Sequence, residues 1–570
     1  GTTQPGFVDE PVIEITGRET FNIGMTTGSD STFRGLAIYD FTQEAIRSFG
    51  DDTRFEGCYF GASPSGSATG NVLYGIATLG GSDRLTISNC VFGRTVLDGV
   101  LCGESDDDMV IEHCWFGLDP DGNVDLEIGD NAVRVLGRDA IIRSNVIVNT
   151  DDHGVRIGPE ADRVQVLLND IGVVPDEGIA PGIDKNGVLI EGNGHDVRHN
   201  RIGAVDDEDG IRVEGDGNTL HGNVIGRIGL FGNLYSPPVS GQGIHLLPGS
   251  DLNVISSNTV SGCLLAGIFI PFTVGMEVSV GNQIHDNVIG LDTSGGLVLT
   301  NFHGVDVAGP DTLIEDNVVS GNQANGINLR PTASNSTVQL NRVGTGLSGT
   351  SCMSNGFDGV SIEAPGVMVT NNVIGCNGRH GLLTLSAARV EVGGNFVGTS
   401  AAQNHDLGNG VHGLFLFNTV SNRVEGNVIG GNRSNALFMS FGVGAEVSGN
   451  FVGSRSDEDT LLTNAFRHFN GIAIHDMTGN LIGGNVAGNT RNAGMELVRG
   501  GGHTVINNRL GVFFDGRTVM SNVVGLALVD TGLNHIGSLN TGLPTPTNLW
   551  NVLSGNLNVG MLALFCGPRR

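Results

Sequence analysis

The sequence predicts an all-β chain wound as a single-stranded parallel β-solenoid, and three observations carry that expectation. A four-residue motif, Asn-x-Φ-Gly with Φ aliphatic or Phe, returns along the chain, as in Asn200-Arg201-Ile202-Gly203, Asn287-Val288-Ile289-Gly290 and Asn372-Val373-Ile374-Gly375. A fixed period of this size marks a repeat architecture, in which each unit buries its apolar face against its neighbours. Each turn also carries Gly-Φ-x-Φ, as in Gly154-Val155-Arg156-Ile157 and Gly210-Ile211-Arg212-Val213, the strict alternation of a strand with one buried face. No 3.6-residue periodicity is sustained, so the repeat has no place for a helix.

The elements follow in order. The first motif residue falls at 58, 90, 114, 145, 169, 200, 223, 258 and 287, and continues to 551, with gaps alternating between about 24 and about 31 residues. One motif is therefore one coil, and the chain holds about 18–20 coils of alternating short and long type. A third apolar position precedes the motif, as in Val424-Glu425-Gly426-Asn427, giving several short strands per coil with Gly or Asn at the bends. Short coils continue into Ser/Gly-Gly-Asn, as at 317–322, whereas long coils make an excursion, as from Ile289 to Asn301 and from Val343 to Asn355. One continuous domain is expected over 1–570, with N-terminal coils in 1–50, regular coils in 51–565 and a tail at 566–570.

These repeats resemble those of bacterial secreted right-handed parallel β-helix proteins of the pectin-lyase-like superfamily, whose units read NVISGN…GI…GNxIGTDxxGxxxxxN. The resemblance covers residues 8–565. It implies a right-handed coil, in keeping with the general handedness of parallel crossovers. It is specific for fold and not for activity.

Bulk properties narrow the function classes. The net charge of −30 argues against nucleic acid as a partner, since phosphate binding needs clustered Lys and Arg. No run of 18 apolar residues is present, so no membrane span is expected. Lys185 is the only lysine, and the acidic surface suits a secreted or cell-surface protein. The start at Gly1, without Met or an apolar leader, reads as a chain from which a signal peptide has been removed. Cys58, Cys90 and Cys114 occupy the Asn position of three successive motifs and read as a buried thiol stack, while Cys352 and Cys376 are candidates for a bridge.

Stacking turns each repeat position into a column. The residue before Gly-Φ-x-Φ runs through Asp98, Asn131, His153, Asn186, Asp209, His303, Asp358, His380 and His412. Metal or acid-base chemistry is one reading. The preferred reading is a corner with φ > 0, which Asn, Asp and His tolerate best. The middle residue of Gly-Φ-x-Φ points outward and brings Arg134, Arg156, Arg212, His245 and Phe269 into one column beside Asp151, Asp152, His153 and Lys185. Guanidinium forks suit carboxylates, so this face is a candidate binding site for an acidic glycan; the preferred reading is Arg paired with nearby acids, which stabilises little on a surface. Enzymes of the superfamily that act on uronic acids place their sites over a comparable basic cluster. Asn149-Thr150-Asp151 resembles the Asn-Thr-Asp of polygalacturonases, but the other galacturonase motifs are missing as a set. In a lyase, His153 or Lys185 would take the C5 proton; in a hydrolase, Asp151 and Asp152 would be acid and base. No cofactor is expected beyond calcium at Asp119, Asp121, Asn123 and Asp125, whose alternating oxygens suit that ion, although a polar turn is the preferred reading.

The function expected first is an extracellular structural or adhesive protein. Its coils are uniform, its ends lack capping helices, and free strand edges invite end-to-end addition. Tyr59, Trp115, Phe396 and Phe451, one residue past the motif's Asn or Cys, suit lateral packing, and Phe269, Phe415 and Phe438 suit stacking against a glycan. Partners are thus further copies, neighbouring surface proteins or an acidic polysaccharide. The alternative is a lyase or hydrolase acting on a uronic-acid polysaccharide, so whether the chain is an enzyme is left open.

Overall fold

A computed structural model describes residues 11–564 except 12, 19, 65–71, 79, 120–124, 175–180, 230–235, 457–467, 514, 516 and 538–549. Every named element is a β-strand. The chain divides into two compact units, residues 1–282 and 283–570, built from the same coil. One coil of the first unit shows the plan. A strand from the motif, Val146–Ile147, is followed by the Gly-Φ-x-Φ strand, Val155–Ile157, and then by a third, Gln165–Leu167, which leads into the next motif strand, Asp170–Ile171. Each strand pairs in parallel with its equivalent one coil on, so equivalent letters meet: Ile147 with Ile171, Arg134 with Arg156, Ile142 with Val166. Among the described residues the motif sheet has ten strands in each unit.

The core is a set of inward columns. Phe60, Phe92 and Phe116 stack with ring centroids 5.1 and 4.6 Å apart and hand over to Ile147, Ile171 and Ile202, all fully buried. Beside them the motif Asn residues form an amide ladder. Asn145 donates its N–H and its Nδ2 to the same oxygen, Asn169 Oδ1, both at 3.0 Å, and Nδ2 also reaches the Ile111 carbonyl. The pattern repeats through Asn200, Asn223 and Asn258, and in the second unit from Asn287 to Asn551. A buried amide with every donor and acceptor met is stable where an unmet one is costly. The thiol stack is present: Cys58, Cys90 and Cys114 are buried and unbridged, and each of the first two directs its N–H at the next sulfur, 3.5 Å away. Cys352 and Cys376 are joined. Long and short outer loops of the second unit return to one further ladder, Asn301–Asn322–Asn355–Asn377–Asn409–Asn432.

Two expectations are corrected. The residues before Gly-Φ-x-Φ do not take positive φ. The left-handed corner lies one residue before the motif's Asn, at Ser144, Leu168, His199, Asp286, Leu340 and Asn371. The Asp/Asn/His column serves as an acceptor ladder instead. His153 Nδ1 accepts the Asn186 N–H (3.1 Å), Asn186 Oδ1 accepts that of Asp209 (3.1 Å), and Asp358 Oδ1 accepts that of His380 (3.0 Å). These residue types share an acceptor two bonds beyond Cβ, which explains the column's composition. The second correction concerns lateral packing. Tyr59, Trp115, Phe396 and Phe451 lie against the outer loops, Trp115 on Leu118, Val148 and Val174 and Phe451 on Phe513 and Met520, so they close small cores of their own.

Candidate functional site

The outward column of the first unit forms as expected. Strand register sets Arg134, Arg156, Leu189, Arg212, His245 and Phe269 one above another. Most of its cations already hold acids. Arg156 forms a fork with Glu191 at 2.8 and 3.0 Å. Arg212 lies between Glu208 (3.6 Å) and Glu214 (3.4 Å), and Lys185 Nζ is 2.5 Å from Asp152 Oδ1. His245 meets Asp209 at 2.6 Å and tilts against Phe269. Arg134 forms no ion pair among the described residues, and its Nε is buried without a hydrogen-bond partner. It faces Asp98 and Asp130 at longer range. Arg134, Arg156, Lys185 and Arg212 are thus outnumbered by Asp98, Asp130, Asp152, Glu191, Glu208, Asp209 and Glu214, and the face is not a basic one. Sequence reading missed Glu191 and Glu214, although both directly follow a Gly-Φ-x-Φ strand and so carried a legible signal.

The four candidate catalytic residues do not act as one group. Asp152, His153 and Lys185 converge: His153 Nε2 is 3.5 Å from the Asp152 oxygen that Lys185 contacts. Asp151 turns to the other side, toward Glu127 and Asp184, where a groove of about 290 Å³ is lined by Arg94, Thr95, Val96, Glu127, Gly129 and Asp151. The Asp151 charge raises the Glu127 carboxyl, and burial followed by the charges of Asp151, Asp206 and Asp207 raises Asp184. In place of Asp151, Asp130 joins Asp152. Burial and then the hydrogen bond it donates to Asp152 push Asp130 up to about 7. Asp152 is also desolvated, but hydrogen bonds from Asp130 and Lys185 hold it below the usual carboxylate range. Burial lowers His153 to about 4. With Nδ1 accepting the Asn186 N–H, its one proton sits on Nε2, so it donates toward Asp152 and is not a base. Lys185 is held protonated by Asp152.

Of the calcium candidates, Asp121 and Asn123 lie outside the described residues. Asp125 accepts from Asn149 Nδ2 at 2.5 Å and from the Glu127 N–H at 3.2 Å, as a turn residue does. Among the described residues no group of three or more His, Cys, Asp or Glu is placed to hold a metal ion, and no helix is long and apolar enough to cross a membrane.

The second unit carries a different surface on the equivalent sheet. Strands of three residues, such as Val305–Val307, give way to seven in Leu414–Val420, Leu437–Val443 and Ile472–Thr478, and nine in Ala493–Gly501. The face widens and its outward positions are aromatic. Phe415 stacks on Phe438 (centroids 5.1 Å, 12° between planes), His412 lies 5.4 and 5.0 Å from these rings, and Phe417 meets Phe441 at 5.6 Å. His475 stands edge-on to Phe438 and contacts Glu496 at 3.0 Å, which also accepts from Asn470. Phe441 is half exposed, and Leu385, Val420 and Val443 extend the apolar surface.

Residues 179–343 match the family described as "Right handed beta helix region". No curated protein matches the chain. Among solved structures, it is similar to the periplasmic alginate epimerase AlgG (13% identity, 70% of this chain and 72% of that one, TM-score 0.26). It is also similar to the Azotobacter vinelandii mannuronan C-5 epimerase AlgE6 A-module (12%, 92% and 91%, TM-score 0.22) and to Bacteriophage CBA120 tailspike protein 3 (13%, 83% and 57%, TM-score 0.26).

Proposed function

We propose an extracellular, adhesive role for this chain, which is a right-handed parallel β-helix: it holds a glycan against the widened aromatic face of its second unit. The observation that carries this reading is the Phe415–Phe438 stack with its flanking Phe417, Phe441 and His412. Phe415 and Phe438, on two successive coils, offer sugar rings an apolar platform, and they are pre-positioned by strand pairing, so little entropy is lost on binding. Glu496 and Asn470 at one end supply hydrogen-bonding groups for hydroxyls. A net charge of −30 and the prior engagement of Arg156, Arg212 and Lys185 by acids favour a neutral glycan over a polyanion.

The test is co-sedimentation with cellulose and chitin, alongside pectate and alginate gels. Binding to a neutral polymer should weaken by roughly 2–10-fold in Phe415→Ala and again in Phe438→Ala. Retention on none of the four polymers, or equal retention by the variants at unchanged melting temperature, rejects the reading.

A second reading rests on the Asp130–Asp152 pair. Two carboxyls whose environments drive their protonation apart can act as acid and base. The glycan-cleaving alternative would then use Asp130 and Asp152, with Arg134 as its one uncommitted cation. Ultraviolet lyase and reducing-sugar assays on pectate and alginate test it: activity lost in Asp130→Asn supports it, and an inactive native protein rejects it.

A further inference from the structure

A groove in the second unit, on the outer side of the motif sheet, is lined by an arginine that forms no ion pair among the described residues. The column one residue past the motif Asn runs Val318, Arg342, Val373, Phe396, Val428, Phe451. Hairpin excursions of the same kind stand over Trp115 (closed by Leu118 and Asp125), over Phe396 (closed by Thr399 and Asp406) and over Arg509 (closed by Val512 and Val519). Arg342 takes the equivalent place under the hairpin closed by Thr345 and Cys352. Its stem passes Gly349, where an added Cβ would stand 3.6 Å from Arg342 Cδ.

Arg342 is half-buried and no carboxylate lies within ion-pair distance of it among the described residues. Arg330 holds Asp306 and Arg379 holds Asp358, whereas Arg342 forms no ion pair among the described residues. Taking a charge out of water without a partner is unfavourable, so the position is stabilised by whatever anion enters. The space is present: a groove of about 350 Å³ lies between this hairpin and the 399–406 excursion, the size of a small-ligand site. It is also held in shape. The Cys352–Cys376 disulfide ties the hairpin to the next coil, and Cys376 packs with Val373 and Leu407 beside Phe396. A preformed wall lowers the ordering cost of binding.

We propose that this groove binds a small hydroxy acid, with the carboxylate on the Arg342 fork. The other lining groups fit the rest of such a molecule. Asp316 and Asn371 present an acceptor and an amide to ligand hydroxyls, and the Ser348 and Thr350 hydroxyls, 2.6 Å apart, share one hydrogen bond and leave one O–H free to donate. Leu340, Val373 and Ala401 offer an apolar side to a carbon skeleton. Asp316 makes the groove less suited to a dianion such as sulfate, because its carboxylate lines the same groove and repels the second charge. The site is independent of the aromatic face.

The experiment is isothermal titration of the whole, oxidised protein with D-glucuronate, acetate, D-glucose and sulfate. Saturable 1:1 binding of D-glucuronate, tighter than acetate and D-glucose, is expected. Arg342→Gln should weaken it by at least roughly tenfold, and Arg342→Lys, which keeps the charge but not the fork, by less. Melting temperatures of both variants within a few degrees of the native value confirm folding, and Asp316→Asn provides a second variant that should weaken D-glucuronate but admit sulfate. D-Glucuronate binding unchanged in Arg342→Gln, no saturation by D-glucuronate, or sulfate bound by the native protein as tightly as D-glucuronate would overturn the proposal.

Discussion

His195→Asn tests whether the buried histidines are ladder members or poised acid-base groups. His195 occupies a column whose later members are Asn218, Asn253 and Asn282, each accepting the N–H of the residue one coil earlier at 2.8 Å. His195 does the same for Val164, with Nδ1 as acceptor at 3.2 Å. The ring proton is therefore on Nε2, which is buried without a partner beside Gly192. Burial lowers the imidazole to about 4, and the Asp162 charge opposes this only in part. In the unfolded chain it titrates near 6.5. The unfolded state takes up its proton first, so stability is complete above about pH 6.5 and falls as the pH drops toward 4. A 2.5-unit gap corresponds to about 3.4 kcal/mol at full protonation, of which about 2 kcal/mol is already lost at pH 5. Asn at this position keeps the acceptor, has no proton to gain, and removes the unmet Nε2–H. At pH 7 the variant should lie within about 1 kcal/mol of the native protein, since the lost ring packing and the removed unmet donor oppose one another. At pH 5 it should be the more stable by about 2 kcal/mol. Urea unfolding at pH 7, 6 and 5, together with hydrogen exchange at the Val164 amide, measures both. Parallel pH dependence in the two proteins would refute the ladder assignment.

Other expectations follow from the same packing. Ile289→Asp places a carboxylate at a fully buried inward position and should cost on the order of 3–5 kcal/mol; an unchanged melting temperature would contradict the inward assignment. Asn341→Ala removes an oxygen that receives two hydrogen bonds from Asn317 and an amide that reaches Ile314 and Gln339, and should cost about 2–4 kcal/mol by urea unfolding. Cys58, Cys90, Cys102, Cys114 and Cys263 should resist a thiol reagent in the native protein and react after unfolding, as read by peptide mapping; burial raises the Cys90 thiol, and for Cys58 the hydrogen bond with Cys90 comes first and burial second.

Much of the architecture was legible because it depends on repetition. Asn at one position of most coils, Φ two residues later and often Gly after that can be counted without coordinates, and their spacing alone indicates stacked coils. The thiol stack and the outward column of Arg134, Arg156 and Arg212 follow from the same counting. The reason for the Asn/Asp/His column was not legible, since tolerance of φ > 0 and possession of a δ-position acceptor select nearly the same residues. Only the backbone distinguished them, by placing the left-handed corner at Leu168 and Leu340, where no residue preference would have put it.

The site was less legible. Sequence alone set the coil period, the inward and outward faces and the buried ladders, because each is a near-neighbour property of a one-dimensional repeat. Tertiary structure decided which charges meet. Asp151 and Asp152 are adjacent in the chain, yet they point to opposite sides of an extended backbone, and Asp152 finds Asp130 one coil away. It likewise gave Arg156 to Glu191 across 35 residues and left Arg342 beneath a hairpin with no acid to hold. Ionic pairing depends on side-chain reach between coils and across loops of unequal length, and the repeat pattern carries no record of it.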